Sequence, residues 1–197
     1  MSQDGLKQPQ QLTVGLYGKL PAHGDFVERG WCPATITALD HWITEGIAAV
    51  AAGLDHDTFA AQMTEAPLWY AFAPPGWAGP NALHFVLSPS IDRAGRYFLL
   101  LCGVEGNVDS VWALASHQSS FAEAAAATVY DALGGGLDAD AIIAKLEADV
   151  RVPDPKTVFR AGLAQPSAAI FWIEEPPMAL RANVPDSGTI VGLLAAT

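Results

Sequence analysis

The sequence is short of basic residues and of long apolar runs, and each shortage excludes a class of partner. Its 197 residues include 10 Lys and Arg against 21 Asp and Glu, so the formal net charge is −11. Nucleic-acid-binding domains carry a basic patch, and anionic lipid repels an acidic surface. Because no apolar run approaches about 18 residues, membrane insertion is not expected either. The sequence therefore predicts neither nucleic acid nor a membrane as partner.

Cysteine is also scarce. Cys32 and Cys102 are far apart, and neither belongs to a Cys-x-x-Cys pair or has metal-ligand spacing to a histidine. This pattern predicts reduced thiols, no disulfide framework and no metal site. The polar residues 1–11 lack the apolar stretch of a secretory signal, and we expect them to form a disordered lead. The sequence thus predicts a cytoplasmic protein without a cofactor.

Apolar residues are plentiful, and they indicate a folded chain. They make up 51% of the sequence, whereas charged residues make up 16%. The composition and length predict one domain over residues 12–197. Predicted strands and helices are interleaved, although several strands follow one another directly. We therefore expect an α/β fold, a three-layer sandwich in which a mixed, partly antiparallel sheet has helices on both faces.

The predicted elements follow from hydrophobic periodicity and from capping residues. Apolar residues at helical spacing predict a helix from Pro33 to Gly53, and Asp138 is a good N-cap for a later helix. Wholly apolar runs predict strands, including a final one over Gly188–Leu194. The other expected strands lie over residues 12–17, 68–72, 83–87, 97–104 and 168–173, and the other expected helices over residues 57–64 and 120–133.

Motifs for catalysis are missing. The sequence contains no Gly-x-Ser-x-Gly, no complete phosphate-binding loop and no cluster of His and carboxylates with metal-ligand spacing. We therefore predict that the protein is not an enzyme and has no catalytic residues.

Charged residues are concentrated in two predicted loops. The set that we single out as candidate binding or loop-structuring residues is Lys19, Asp25, Arg29, Asp92, Arg93 and Arg96. Such a set can hold two loops together through charge-assisted hydrogen bonds. It can equally present a charged surface to a partner or an anion. The residues alone leave both interpretations open.

The two loops also carry a family resemblance. Residues 15–29, GLYGKLPAHGDFVER, resemble the opening G-x-Y-G-K-x-P-x-x-G-D-F-x-x-R signature of the TagF (ImpM) family, whose members are associated with bacterial type VI secretion systems. Residues 89–98, PSIDRAGRYF, resemble its second motif, P-S-V-D-R-x-G-R-x-F. Between them, residues 66–72 and the pair Asp40 and Trp42 resemble two further family motifs.

The resemblance implies a cytoplasmic accessory protein that represses assembly or activity of the secretion system after translation. It implies action by binding, with an FHA-domain scaffold protein of the system as the expected partner, and it carries over no catalytic residue. The alternative is a small-anion-binding or enzymatic domain that uses the charged loops, residues 18–29 and 89–96.

The charged loops allow a structural prediction. We expect them to lie side by side at one end of the sheet, with Arg93 or Arg96 reaching Asp25. Asp92 should accept hydrogen bonds from backbone N–H groups of its own turn. Gly95 should adopt a positive φ, which side chains oppose.

Overall fold

Seven strands and six helices form the part of the chain that the computed structural model describes, residues 12–116, 120–151, 164–173 and 178–196. The strands are β1 (Thr13–Gly18), β2 (Val27–Arg29), β3 (Trp69–Ala73), β4 (Ala82–Ile91), β5 (Tyr97–Gly106), β6 (Ala169–Ile173) and β7 (Met178–Ala182). The helices are α1 (Pro33–Ala51), α2 (His56–Glu65), α3 (Val108–Ser116), α4 (Ser120–Leu133), α5 (Ala139–Asp149) and α6 (Ser187–Leu194). The predicted lead, residues 1–11, lies outside the described residues.

All strands belong to one sheet, in the order β2-β1-β5-β4-β3-β6-β7. Its centre is the hairpin of β4 and β5, whose ten-residue strands pair from Ala82 opposite Gly106 to Ile91 opposite Tyr97. Every described pairing is antiparallel, so the parallel pairs that a mixed sheet allows are not seen among these residues. Where consecutive strands are joined by a short connection, as β4 and β5 are, antiparallel pairing follows from connectivity.

Helices cover both faces of the sheet, which confirms the predicted three-layer α/β arrangement. On one face α1, α2 and α6 share an aromatic core to which α1 contributes Trp42 and the strands contribute Trp69 and Phe171. On the other face α4 and α5 form a core in which Phe121 of α4 joins strand residues such as Leu100, and α3 packs beside them. The apolar strand β5 is buried on both sides, as its unbroken hydrophobic run predicts. None of the helices within the described ranges is long and apolar enough to cross a bilayer.

The predicted final strand over Gly188–Leu194 is wrong, because these residues form helix α6. The Asp186 carboxylate caps the helix by accepting from the Thr189 N–H at 2.8 Å. Ile190 and Leu193 then lie on one helical face and are fully buried. A short apolar run alone does not distinguish a buried strand from a buried helix.

Three further elements have no counterpart among the predicted ones: β2, β7 and α3. Helix α3 begins at a cap that the sequence does show, because the Asn107 side chain accepts from the Ser110 N–H at 2.9 Å. Strand β7 is short and mostly exposed, so its apolar content gives little periodic signal.

Candidate functional site

The two charged loops lie against each other at one end of the sheet, as predicted. The first loop comprises residues 18–29 and the second comprises residues 89–96. The Arg93 N–H donates to the His23 carbonyl at 3.0 Å, and the Ser90 hydroxyl donates to the Lys19 carbonyl at 2.7 Å. The contact follows from the sheet, because the end of β1 lies beside the start of β5 and β5 forms a hairpin with β4.

Asp92 is the centre of the loop contact, and its side chain is fully buried. Its carboxylate accepts from the backbone N–H groups of Ala94 and Arg96 at 2.8 and 3.0 Å. It also accepts from Arg96 Nε at 2.6 Å and from Lys19 Nζ at 3.2 Å. The backbone hydrogen bond from Arg96 and these two cations hold the pKa of Asp92 well below its usual range. The predicted turn is confirmed, and Gly95 has a φ of +77°.

Lys19 is a buried cation with an aromatic environment. Only 6% of the residue is exposed, and Nζ lies 4.9 Å from the ring centroid of Phe26 and 5.8 Å from that of Phe98. These contacts supplement the ion pair with Asp92. Gly18 makes the geometry possible, since it has a φ of +136° and a side chain there would lie 2.0 Å from the Leu99 carbonyl.

The expected pairing of Asp25 with an arginine is wrong. Asp25 is exposed and accepts from the neighbouring Phe26 N–H, and no cation lies within 4 Å of it among the described residues. The Arg93 guanidinium instead donates to the Ala22 carbonyl, and Arg96 donates to the Gly24 carbonyl at 2.9 Å. Backbone carbonyls of the first loop therefore meet the arginines of the second, and the Asp25 carboxylate stays in solvent.

Arg29 is separate from this cluster. Its Nε donates to Asp140 of α5 at 2.8 Å, and both side chains are substantially exposed. The structure thus joins Lys19, Asp92 and Arg96 directly, places Arg93 beside them through backbone contacts, and leaves Arg29 on another surface.

Replacing Arg29 by alanine is expected to change stability only slightly. Exposed ion pairs contribute about 0–1 kcal/mol, because water screens them. Lys145→Ala is a matched control, since Lys145 forms an exposed pair with Asp131 at 2.6 Å. Urea unfolding of both variants should give similarly small losses. A loss above about 2 kcal/mol for Arg29→Ala alone would show that the contact has a larger structural role than exposure implies.

His23 joins the first loop to α5, and sequence reasoning did not identify it. Its Nε2 accepts from the Ala139 N–H at 3.3 Å, at the start of the helix. These residues are 116 positions apart, and no local motif connects them. The first loop is therefore held on two sides, by the second loop and by α5.

Glu105 is a second buried carboxylate that the sequence did not reveal. It accepts from the Cys32 N–H at 2.7 Å, the Thr35 hydroxyl at 2.9 Å and the Asn81 amide at 3.0 Å. Burial opposes ionisation, yet the hydrogen bonds from Asn81, Cys32 and Thr35 lower the pKa of Glu105 overall. This carboxylate lies at the start of α1, where a negative charge stabilises a helix.

Groups suited to metal binding are not assembled in the described part of the chain. No cluster of three His, Cys, Asp or Glu side chains there has the geometry to hold a metal ion. Cys32 is half-buried and Cys102 is buried, and both are free thiols. Burial raises the pKa of Cys102 to about 12, so this thiol is a poor nucleophile.

Fold and site together define a three-layer α/β domain with two charged loops closed on each other at one end of an antiparallel sheet. Residues 15–148 match the family model described as the TagF N-terminal domain, type VI secretion system-associated. The chain therefore belongs to the TagF family and is a type VI secretion system-associated protein, as the two loop motifs indicate.

A solved structure supports the fold. The crystal structure of PA0076 from Pseudomonas aeruginosa PAO1, at 2.05 Å resolution, superposes with a TM-score of 0.76 at 22% sequence identity. The superposition covers 93% of this chain and 94% of PA0076. At this identity the likeness concerns the fold alone. None of the curated proteins that were compared matches the chain.

Proposed function

We propose that this protein is a non-enzymatic, cytoplasmic accessory protein that represses assembly or activity of the type VI secretion system after translation. It acts by binding a component of the system, and an FHA-domain scaffold protein is the proposed partner. The observation that supports binding over catalysis is the closed contact between the loops. Asp92 has its acceptor positions filled, and Lys19 is buried against it.

The alternative, a small-anion or catalytic site in the loops, needs the charged groups to converge on an open pocket. Lys19 and Asp92 neutralise each other in the interior instead. None of the six candidate residues lines the groove beside the loops, and only Arg29 of the six lines the separate pocket of about 370 Å³ at the start of α1. What the loops offer to a ligand is a surface, with Arg93, Arg96 and Phe26 exposed.

Removing the protein from its bacterium should increase type VI secretion, and excess protein should suppress it. Because the proposed repression acts after translation, transcript levels of secretion genes should stay constant while exported protein and assembled sheaths change. Purified chain should also bind the purified FHA-domain scaffold of the same system. Unchanged secretion in the deletion strain, together with absence of scaffold binding, would refute the proposal.

Two further measurements address the alternative. Phosphate and sulfate should not raise the melting temperature by more than a salt control, since an anion site would stabilise the folded state on binding. Phosphoester and acyl ester hydrolysis should stay at the buffer rate. Turnover that Asp25→Asn or Asp92→Asn abolishes would favour the enzymatic interpretation.

A further inference from the structure

An apolar groove crosses the end of the sheet next to the charged loops. It encloses about 330 Å³ between the C-terminal ends of α2 and α4. Most of its lining is apolar, and the lining includes two tyrosines and three prolines, which are Tyr97, Tyr130, Pro21, Pro67 and Pro89. None of the described residues that line the groove is charged. The groove therefore suits an uncharged stretch of a ligand.

The two tyrosines supply aromatic surface and unused hydrogen-bond donors. Tyr97 is half-buried and packs edge-on against Phe59 of α2, with 5.8 Å between the ring centroids. Tyr130 is 61% exposed. Neither tyrosine hydroxyl has a hydrogen-bond partner among the described residues. An occupant of the groove therefore meets two aromatic rings and two hydroxyl groups that can donate to it.

The other hydroxyl groups of the lining are already used inside the protein. Thr64, Ser88 and Ser90 each donate to a backbone carbonyl, at 2.8, 3.2 and 2.7 Å. The prolines of the lining contribute no N–H group. Among the side chains that line the groove, the tyrosine hydroxyls are therefore the donors left for a ligand. An occupant with free carbonyl oxygens matches this arrangement.

The charged residues next to the groove differ between its two ends. At the helix end Glu65 is exposed between the lining residues Thr64 and Ala66, and no cation lies within 4 Å of it among the described residues. Neither α2 nor α4 has a basic residue in its last turn to offset the partial negative charge of a helix C-terminus. At the loop end Arg93 and Arg96 donate to carbonyls of the first loop. The helix end is therefore negative and favours a basic residue of a ligand.

We infer that the groove is a docking site for a proline-rich segment of a partner protein, with a basic residue at the end that reaches Glu65. A polyproline II segment forms no internal hydrogen bonds, so its carbonyl oxygens are free to accept from the two tyrosine hydroxyls. Its proline rings pack against the tyrosine rings, as such segments do in aromatic-lined grooves. This inference rests on the proposed function, because the segment is taken to belong to the secretion-system component that the protein binds.

Other conformations of the segment fit the groove less well. A helix uses its own carbonyls in internal hydrogen bonds, so it leaves the tyrosine hydroxyls without acceptors. A strand needs an accessible strand edge, and residues 88–90 of β4, which lie at the groove, are buried.

Short peptides test the chemistry of the groove directly. In NMR titrations of the full chain, a peptide of about eight prolines that ends in arginine should bind with a Kd below about 1 mM. A glycine–serine peptide of the same length and with the same arginine should not bind in this range. Replacing the arginine by glutamate should weaken binding at least about threefold. Glu65→Gln should abolish this preference for arginine, and Glu45→Gln, at an exposed position of α1, should retain it.

Changes at Tyr130 test the ring and the hydroxyl separately. Tyr130→Phe removes only the donor and should weaken peptide binding about fivefold, whereas Tyr130→Ala should weaken it about tenfold or more. Val184→Ala truncates another exposed apolar residue, away from the groove lining, and should leave the affinity within about twofold.

The purified FHA-domain scaffold separates this inference from the proposed function. Tyr130→Ala should weaken scaffold binding about tenfold or more, and a photo-crosslinking amino acid in place of Tyr130 should join a proline-rich segment of the scaffold. The inference is overturned if the proline–arginine peptide does not bind, if the arginine and glutamate peptides bind equally, or if Tyr130→Ala binds the peptide as wild type does. Unchanged scaffold affinity in Tyr130→Ala overturns it as well and leaves the proposed function intact. A wild-type chain that does not bind the scaffold overturns both.

Discussion

Replacing Asp92 by alanine should lower the melting temperature on the order of 10 °C, because removal of one partner from a buried ion pair is strongly destabilising. The change leaves the Lys19 ammonium inside the protein without its carboxylate. It also removes the acceptor for the Ala94 and Arg96 N–H groups. Calorimetry or thermal unfolding followed by circular dichroism measures the effect.

Asp25→Ala is the matched control, since it removes an exposed carboxylate of the facing loop. Among the described residues the Asp25 carboxylate accepts a hydrogen bond only from the Phe26 N–H, so the melting temperature of Asp25→Ala should stay within about 2 °C of wild type. The low pKa of Asp92 gives a second signature. Because the folded state lowers the pKa of Asp92, this carboxylate stabilises the protein fully at pH values above about 3.8, the pKa of a free aspartate. The stabilisation is lost progressively as the pH falls below about 3.8. Equal melting temperatures for Asp92→Ala and wild type would contradict the role assigned to Asp92.

The free energy of unfolding should fall as pH decreases from about 6.5 to about 4, with His84 as a principal cause. His84 is 1% exposed, and burial lowers its pKa to about 4. In the unfolded chain the histidine takes up a proton near pH 6.5, whereas the folded state resists protonation until about pH 4. Between these values the unfolded state binds more protons, so stability decreases by on the order of 1 kcal/mol per pH unit.

The structural reason is that an N–H at Nε2 of protonated His84 would find no acceptor in the part of the chain that the structure describes. Its Nδ1 is 2.8 Å from the Ala71 carbonyl, and its Nε2 has no partner among the described residues. The ring lies flat against Trp172 and close to Phe121. A charged imidazolium at this place would be buried among aromatic rings with one N–H unsatisfied.

His84→Phe should flatten the pH dependence, and His41→Phe, at an exposed position of α1, should leave it unchanged. The slope of unfolding free energy against pH, from urea titrations at several pH values, is the quantity to compare. The absolute stability of His84→Phe does not affect the test, because a packing change shifts the whole curve of unfolding free energy against pH and leaves its slope unaltered. A parallel curve for His84→Phe would assign the pH dependence to other groups.

Local chemistry explains what the sequence could predict. The turn at Asp92 and the positive φ of Gly95 follow from residues within five positions of each other, so they were predictable. The contact between the two loops was also predictable, because the strands that flank them were expected in one sheet and each loop carries charges of both signs. The expected Asp25–arginine pair was wrong because the arginines meet the carbonyls of Ala22 and Gly24 instead, which residue types alone do not reveal.

Contacts between residues far apart in the sequence could not be predicted. His23 meets Ala139, and Glu105 meets Cys32, across separations that no motif marks. Helix α6 is a different case, because the capping Asp186 stands in the sequence and was outweighed by the apolar run after it. Among the described residues, the stretch of β4 that lacks a β3 partner depends on where β3 begins, and a boundary of two or three residues is beyond sequence periodicity.

The packing of α6 determines when the protein can fold during synthesis. Trp42 Nε1 donates to the Asp186 carbonyl and Trp69 Nε1 to the Leu193 carbonyl, across 144 and 124 residues. A ribosome that has made β1 to β5 has therefore produced a chain whose two tryptophans still lack their cover. This layer closes only after residues 186–193 have been translated, and contacts of such high sequence separation form slowly. We therefore expect this aromatic layer to stay incompletely covered in the nascent chain until α6 has been made.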